Sequence, residues 1–209
     1  MNRLRKSPRG SSLASLATVL AMTGLSGQLL AATPLVSFDF NEETTDVVTD
    51  SVNGLTGMPV NAAPTSITET PSGMAGDRAI HFETGQYISV DDPNMALQLD
   101  ADNPSFTLQA WVNFAGMPAT RSVFFYNNGP GGAVSFSVNT DRSVFVTTLG
   151  ILDAGSSAII PDDGAWHHIA VVHENGVELR YYVDGALGDT RAYDSGVIFS
   201  RTETAFSIG

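Results

Sequence analysis

The sequence predicts an all-β domain, a sandwich or barrel, and three observations carry that expectation. Beyond residue 33 the chain is built of short runs in which apolar and polar side chains alternate. Gly, Asn, Asp and Pro separate these runs at turn-like positions, and no stretch sustains a helical period. At 209 residues the chain is also long enough to bury a sizeable core as one domain.

The expected strands, in order, are "LVSFDF" (35–40), "AIHFE" (79–83), "QYISV" (86–90), "SFTLQAWVNF" (105–114), "SVFFY" (122–126), "AVSFSV" (133–138) and "SVFVTTL" (143–149). They continue with "WHHIAVVH" (166–173), "VELRYYVD" (177–184) and "TAFSIG" (204–209). The Thr-, Pro- and Gly-rich region from Thr44 to Gly76 reads as long loops with one or two irregular strands. A short helical turn is expected around Asn94 to Leu99, and "YNNGPGG" (126–132) reads as a polar loop. In residues 105–114, parity sends Trp111 and Phe114 to opposite faces.

The first 32 residues are of a different kind. Arg3, Arg5, Lys6 and Arg9 precede an uncharged, mostly apolar and small stretch from Leu13 to Leu30, followed by "LLAAT". This is the three-part pattern of a secretory signal peptide, so residues 33–209 are expected to be the mature, secreted or cell-surface domain. No other apolar run is long enough to span a membrane. The precursor has a net charge of −12. Without the leader, six basic residues face twenty-two acidic ones, a net charge of −16. Such a balance argues against nucleic acid or an anionic membrane as partner. There are no cysteines, which excludes disulfides, thiolate zinc sites and a cysteine nucleophile.

The most patterned stretch is "DDGAWHHIAVVHENGVELRYYVDGAL", Asp162 to Leu187, which holds three of the four histidines. Read as a hairpin with Glu174-Asn175-Gly176 as its loop, it pairs His173 with Val177, Val171 with Leu179, Ile169 with Tyr181 and His167 with Val183. Those eight share a largely apolar face. Trp166, His168, Ala170 and Val172 share the other with Glu178, Arg180, Tyr182 and Asp184. Neighbours on a strand point to opposite faces, so His167 and His168 cannot grip one ion. His167 and His173 lie about 20 Å apart at ~3.3 Å per residue. The histidines therefore read as sheet residues, with His167 at the edge of the core bonding locally.

These residues resemble the laminin G-like domains of the concanavalin A-like lectin/glucanase superfamily. "LVSFDFNEETTDVVTDSVNGLTG", "GDRAIHFETGQYISVDD", "NPSFTLQAWVNF", the Trp-His-His to Tyr-Val-Asp-Gly hairpin and "FSIG" resemble family motifs in the family's order, across about residues 35 to 209. The resemblance implies a two-sheet antiparallel jelly roll. It also implies a further strand after "FSIG", so the sequence reads as a domain truncated at its C-terminal end.

The superfamily includes glycosidases with a Glu-x-Asp-x-Glu strand, whose alternation aims the carboxylates into one cleft. None of the seven glutamates here begins that motif, and no Gly-x-Ser-x-Gly elbow is present, so the domain is expected to be non-catalytic. Related folds often hold a rim Ca²⁺. Its oxygen-rich coordination makes Asp39, Asp50 and Asn53 the candidate ligands, against a simpler role in turn formation. A sugar site needs an aromatic platform beside hydrogen-bonding groups, and Trp166, Arg180 and Tyr182 on the mixed face are the candidates. The expected function is a secreted, non-catalytic binding module for glycans or an extracellular protein, as part of a larger protein. The alternatives are an accessory targeting domain of an extracellular glycosidase or other hydrolase, and a structural or adhesion spacer.

Overall fold

A computed structural model describes residues 34–94, 97, 105–114, 119–127, 134–148, 152–193 and 205–209. The expected leader, most of the expected helical turn at 94–99 and the polar loop beyond Asn127 lie outside these residues. Among the described residues fourteen strands are formed: β1 (Val48–Thr49), β2 (Thr56–Val60), β3 (Thr65–Ile67), β4 (Ala79–His81), β5 (Tyr87–Asp91), β6 (Phe106–Val112) and β7 (Ser122–Tyr126). They continue as β8 (Val134–Val138), β9 (Ser143–Thr148), β10 (Leu152–Ile159), β11 (His167–Glu174), β12 (Glu178–Val183), β13 (Ala186–Ala192) and β14 (Ala205–Ile208). Every named pairing is antiparallel. An eight-stranded sheet runs β1-β2-β5-β14-β7-β8-β9-β10, a four-stranded sheet runs β13-β12-β11-β6, and β3 and β4 form a small ribbon. No helix among the described residues is long and apolar enough to cross a membrane.

The expected all-β jelly roll is the observed fold, and the alternation explains how it closes. In β6, Phe106, Leu108, Ala110 and Val112 turn inward while Thr107, Gln109 and Trp111 are exposed. From β11, Ile169 and Val171 join them; from β8 and β9 come Val134, Phe136, Val138, Val144 and Val146. Burying these side chains between two faces is the main favourable term in assembly, on the order of 1.5–3 kcal/mol for each large aliphatic or aromatic group. A second cluster gathers Val48, Ile88, Val90 and Phe206, with Val36, Phe38 and Phe40 of the opening segment packed against it.

Two strands run where the sequence suggested none. The segment "LDAGSSAI" of β10 is rich in small and polar residues, and "ALGDTRA" of β13 is almost wholly exposed. Neither has the pattern of a half-buried strand; each instead folds back in a hairpin on its sequence neighbour, β10 on β9 and β13 on β12, and side-chain contacts then tie the two strands together. The Tyr181 hydroxyl of β12 donates to the Ala154 carbonyl of β10 (2.7 Å), and Ser157 N donates to Asp189 Oδ2 of β13 (2.7 Å). Gly188 sits so close that a Cβ there would lie 2.7 Å from the Ala158 Cβ. Burial drives the Tyr181 phenol's pKa upward, so it remains a donor. These contacts join the two sheets along one seam.

Other elements depart from expectation in register or extent. The loop of the β11–β12 hairpin is Asn175-Gly176-Val177, one residue later than expected. Glu174 pairs with Glu178, His173 with Leu179, Val171 with Tyr181 and Ile169 with Val183. The shift is two residues along the partner strand, so the side chains that remain in the ladder keep their faces. Val177, expected opposite His173, falls in the loop and is exposed, and Asp184, expected on the outer face, falls in the next turn and reaches His167. Val177 N donates to Glu174 O (3.0 Å), closing the turn. Arg180 then bridges the facing glutamates, at 3.0 Å from Glu174 and 2.8 Å from Glu178. That cation offsets a like-charge pair that would otherwise oppose this register. The opening segment, expected as a strand over 35–40, contributes only an isolated bridge from Phe38 to Asp50. Phe40, at φ 55°, turns the backbone out of extended geometry.

Candidate functional site

The Asp162–Leu187 stretch separates a structural clasp on its inner side from an accessible platform on its outer side. On the inner side, His167 Nδ1 lies 2.8 Å from Asp184 Oδ2 and Nε2 lies 2.9 Å from Asp163 Oδ1. Two ionised carboxylates are acceptors only, so this pair of contacts suits a ring protonated on both nitrogens. Burial pulls its pKa down, but the hydrogen bonds to Asp184 and Asp163 outweigh that and raise it. The His167 hydrogen bond is in turn the main cause that holds Asp184 below its ordinary value. A backbone hydrogen bond from Ala165, followed by that from His167, does the same for Asp163. The other oxygen of Asp184 accepts from His168 N (3.0 Å), and Asp184 N donates to His168 O (2.8 Å). Asp184 (φ 51°) and Gly185 (φ 77°) make the two-residue turn between β12 and β13, whose left-handed backbone suits Asp-Gly. The clasp thus ties that turn to the loop preceding β11. His173, the other inner histidine, lies between Phe106 (centroids 4.8 Å apart) and Tyr193 (4.9 Å). Neither histidine faces the surface.

The outer side of the four-stranded sheet is different. Trp111 on β6 is 54% exposed and pairs with His168 on β11, with ring centroids 5.3 Å apart. In the next row Gln109, Ala170, Tyr182 and Leu187 lie across all four strands, followed by Thr107, Val172, Arg180 and Thr190. Leu187 is 57% exposed, and Tyr182 is half-buried. Strand spacings of ~4.8 Å and a rise of ~3.3 Å per residue place Trp111 and Tyr182 roughly 12 Å apart on one surface. Arg180 and Tyr182 therefore share this platform, as expected; Trp166 lies immediately before β11 and is half-buried. Trp111 is the residue the sequence reading passed over. Its signal was present, a tryptophan on the polar phase of "SFTLQAWVNF", but nothing in the sequence placed β6 beside β11.

The three candidate metal ligands have distinct surroundings. Asp50 is 1% exposed and accepts three backbone N–H groups, from Ser37 (2.6 Å) and Val52 (3.2 Å) at Oδ1 and from Asn53 (2.7 Å) at Oδ2. The Asn53 side-chain amide donates to Leu35 O, and Asp39 is exposed beside the Ser37 hydroxyl. Asp50 and Asn53 come together as a staple between the 50–55 turn and the opening segment. Among the described residues no group of three or more His, Asp or Glu is arranged to hold a metal ion.

A family model described as the concanavalin A-like lectin/glucanases superfamily matches residues 82–209. No curated protein sequence matches the chain. Among solved structures, the binding domain of botulinum neurotoxin serotype G superposes with a TM-score of 0.61 at 10% identity, over 84% of this chain and 43% of that one. The binding domain of botulinum neurotoxin DC, in complex with rat synaptotagmin II, gives 0.55 at 10% identity, over 81% and 44%. Domain 4 of AbnA, a GH43 extracellular arabinanase from Geobacillus stearothermophilus in complex with arabinotriose, gives 0.58 at 14% identity, over 83% and 84%. The chain thus spans under half the length of the toxin chains and most of the arabinanase domain. At these identities the likeness is one of fold.

Proposed function

This chain belongs to the concanavalin A-like lectin/glucanase superfamily, and from that premise we propose that it is a non-catalytic module that binds a glycan on the outer face of its four-stranded sheet. One observation carries this reading. Trp111 stands 54% exposed on a sheet face that also presents His168, Gln109 and Tyr182. Leu187 on the same face is exposed as well, and apolar surface presented on a rigid sheet is what a ligand covers. The flat apolar face of Trp111 suits the C–H face of a sugar ring, while Gln109, Thr107 and Tyr182 supply hydrogen-bonding groups for hydroxyls.

The placement at sheet rows rather than on loops favours an extended, repetitive ligand over a small one. Attachment to a larger extracellular hydrolase is the second reading, supported by the arabinanase domain, of which this chain covers 84%. Export by the 1–32 leader completes the proposal, and N-terminal sequencing of secreted protein tests it.

Binding is tested by titrating the domain with soluble polysaccharides and oligosaccharides in a calorimeter. Trp111→Ala is expected to weaken binding at least about tenfold, since a central aromatic contact is worth ~2 kcal/mol or more and ~1.4 kcal/mol is a decade. Wild-type protein that binds no glycan, or binding unaffected by Trp111→Ala, refutes the proposal.

A further inference from the structure

We propose that the platform selects uncharged glycans and rejects sulfated, uronic or sialylated ones, because the guanidinium that the described residues place on it is neutralised in place. The inference rests on the glycan-binding reading above and narrows it to a ligand class.

Anionic sugars are normally held by a guanidinium offering paired N–H donors to a carboxylate or sulfate. The guanidinium on this face is that of Arg180, and one of its terminal nitrogens, Nη1, donates to both Glu174 (3.0 Å) and Glu178 (2.8 Å). The three side chains carry a net charge of −1. Glu174 and Glu178 are the last pair of the β11–β12 ladder, so the sheet register holds both carboxylates beside the cation. An arriving anion must displace a carboxylate or approach two of them. Among the described residues the other basic side chain on the face, His168, packs against Trp111.

No other described arginine relieves this. Arg142 and Arg191 are paired with Asp162 and Asp189. Arg121 lies 3.8 Å over the Phe145 ring, and Arg78 donates to the Ser66 hydroxyl. The charge of −16 beyond the leader repels polyanions at longer range, within a Debye length of ~8 Å at physiological salt. A neutral polysaccharide meets neither penalty and gains the aromatic contact.

The test uses immobilised matched pairs, each a neutral oligosaccharide and its sulfated or uronic counterpart. Wild-type protein is expected to bind neutral members at least about tenfold more tightly than their anionic partners, ~1.4 kcal/mol. The double variant Glu174→Gln, Glu178→Gln keeps the shape of both side chains and frees Arg180; it is expected to close the gap to within about threefold or reverse it. Adding Arg180→Gln to that variant restores the preference for neutral sugars. Unchanged melting temperatures establish that the variants fold.

Equal or stronger binding of anionic members by the wild type overturns the inference, as does a gap that survives the double variant. Failure to bind any member of any pair refutes glycan binding itself, and is distinguishable because selectivity is then never observed.

Discussion

Replacing His167 by glutamine removes the cation that joins the Asp184-Gly185 turn to the loop preceding β11. His167 is 7% exposed, and both of its nitrogens are engaged by carboxylates. A hydrogen bond to a charged group contributes roughly 1.5–3 kcal/mol net. The Asp184 side chain is 47% exposed and regains water when its partner is lost, which puts this bond in the lower half of that range. With the buried ring replaced as well, a loss of about 2 kcal/mol follows. At ~2–4 °C per kcal/mol for a domain of this size, the thermal midpoint at pH 6 falls by about 4–8 °C.

The same clasp has a signature in pH. The folded-state pKa of His167 lies above the ordinary 6.5, so between the two values the folded protein binds the extra proton. Its stabilisation is complete below about pH 6.5 and is lost as pH rises through the folded value. Asp163 and Asp184 have lowered values, so their stabilisation is present above the ordinary 3.8 and is lost as pH falls through the folded values. The difference in melting midpoint between wild type and His167→Gln is therefore largest from about pH 5 to 6.5 and shrinks toward pH 9. Scanning calorimetry of both proteins across this range measures it. Equal midpoints at pH 6, or a difference independent of pH up to 9, would refute the imidazolium clasp.

Two further substitutions test the frame around the site. Gly188→Val places branched carbon where a Cβ already meets Ala158 at 2.7 Å, forcing β13 from β10. A cost of at least ~1–3 kcal/mol is expected, read as a lower urea midpoint; an unchanged midpoint would mean that the seam is not closely packed. Asp50→Ala removes the acceptor of three backbone N–H groups and is expected to cost about 2–3 kcal/mol, with Asp50→Asn intermediate. A melt of Asp50→Ala that coincides with wild type would show that the staple contributes nothing to stability.

The local pattern of residues 105–114 and 166–184 determined much of this molecule. Alternation assigned Ile169, Val171 and Tyr181 to the core and His168, Arg180 and Tyr182 to the opposite face, and set Trp111 opposite Phe114, because a strand's side-chain period is two whatever its partner. Parity likewise separated His167 from His168. The hairpin register was legible only to within two residues, since a shift of two leaves the side chains that remain in the ladder on their faces. The Arg180–glutamate bridge and closure of the turn through Val177 favour the observed choice. β10 and β13 were not legible, because their small and polar residues have no pattern of their own. They become strands by pairing with β9 and β12, and the Tyr181, Asp189 and Gly188 contacts then join them along the seam.

The sequence by itself thus determined the class of fold, the residues that face inward and the absence of cysteine chemistry. Each follows from local periodicity or composition. Only the tertiary structure decided that Trp111 stands beside His168 and in the next row to Tyr182, that both nitrogens of His167 meet carboxylates, and that Arg180 is held between two glutamates. Those are juxtapositions across strands. A strand's sequence specifies which way its side chains point, whereas its neighbours are selected by the assembly of the whole sheet.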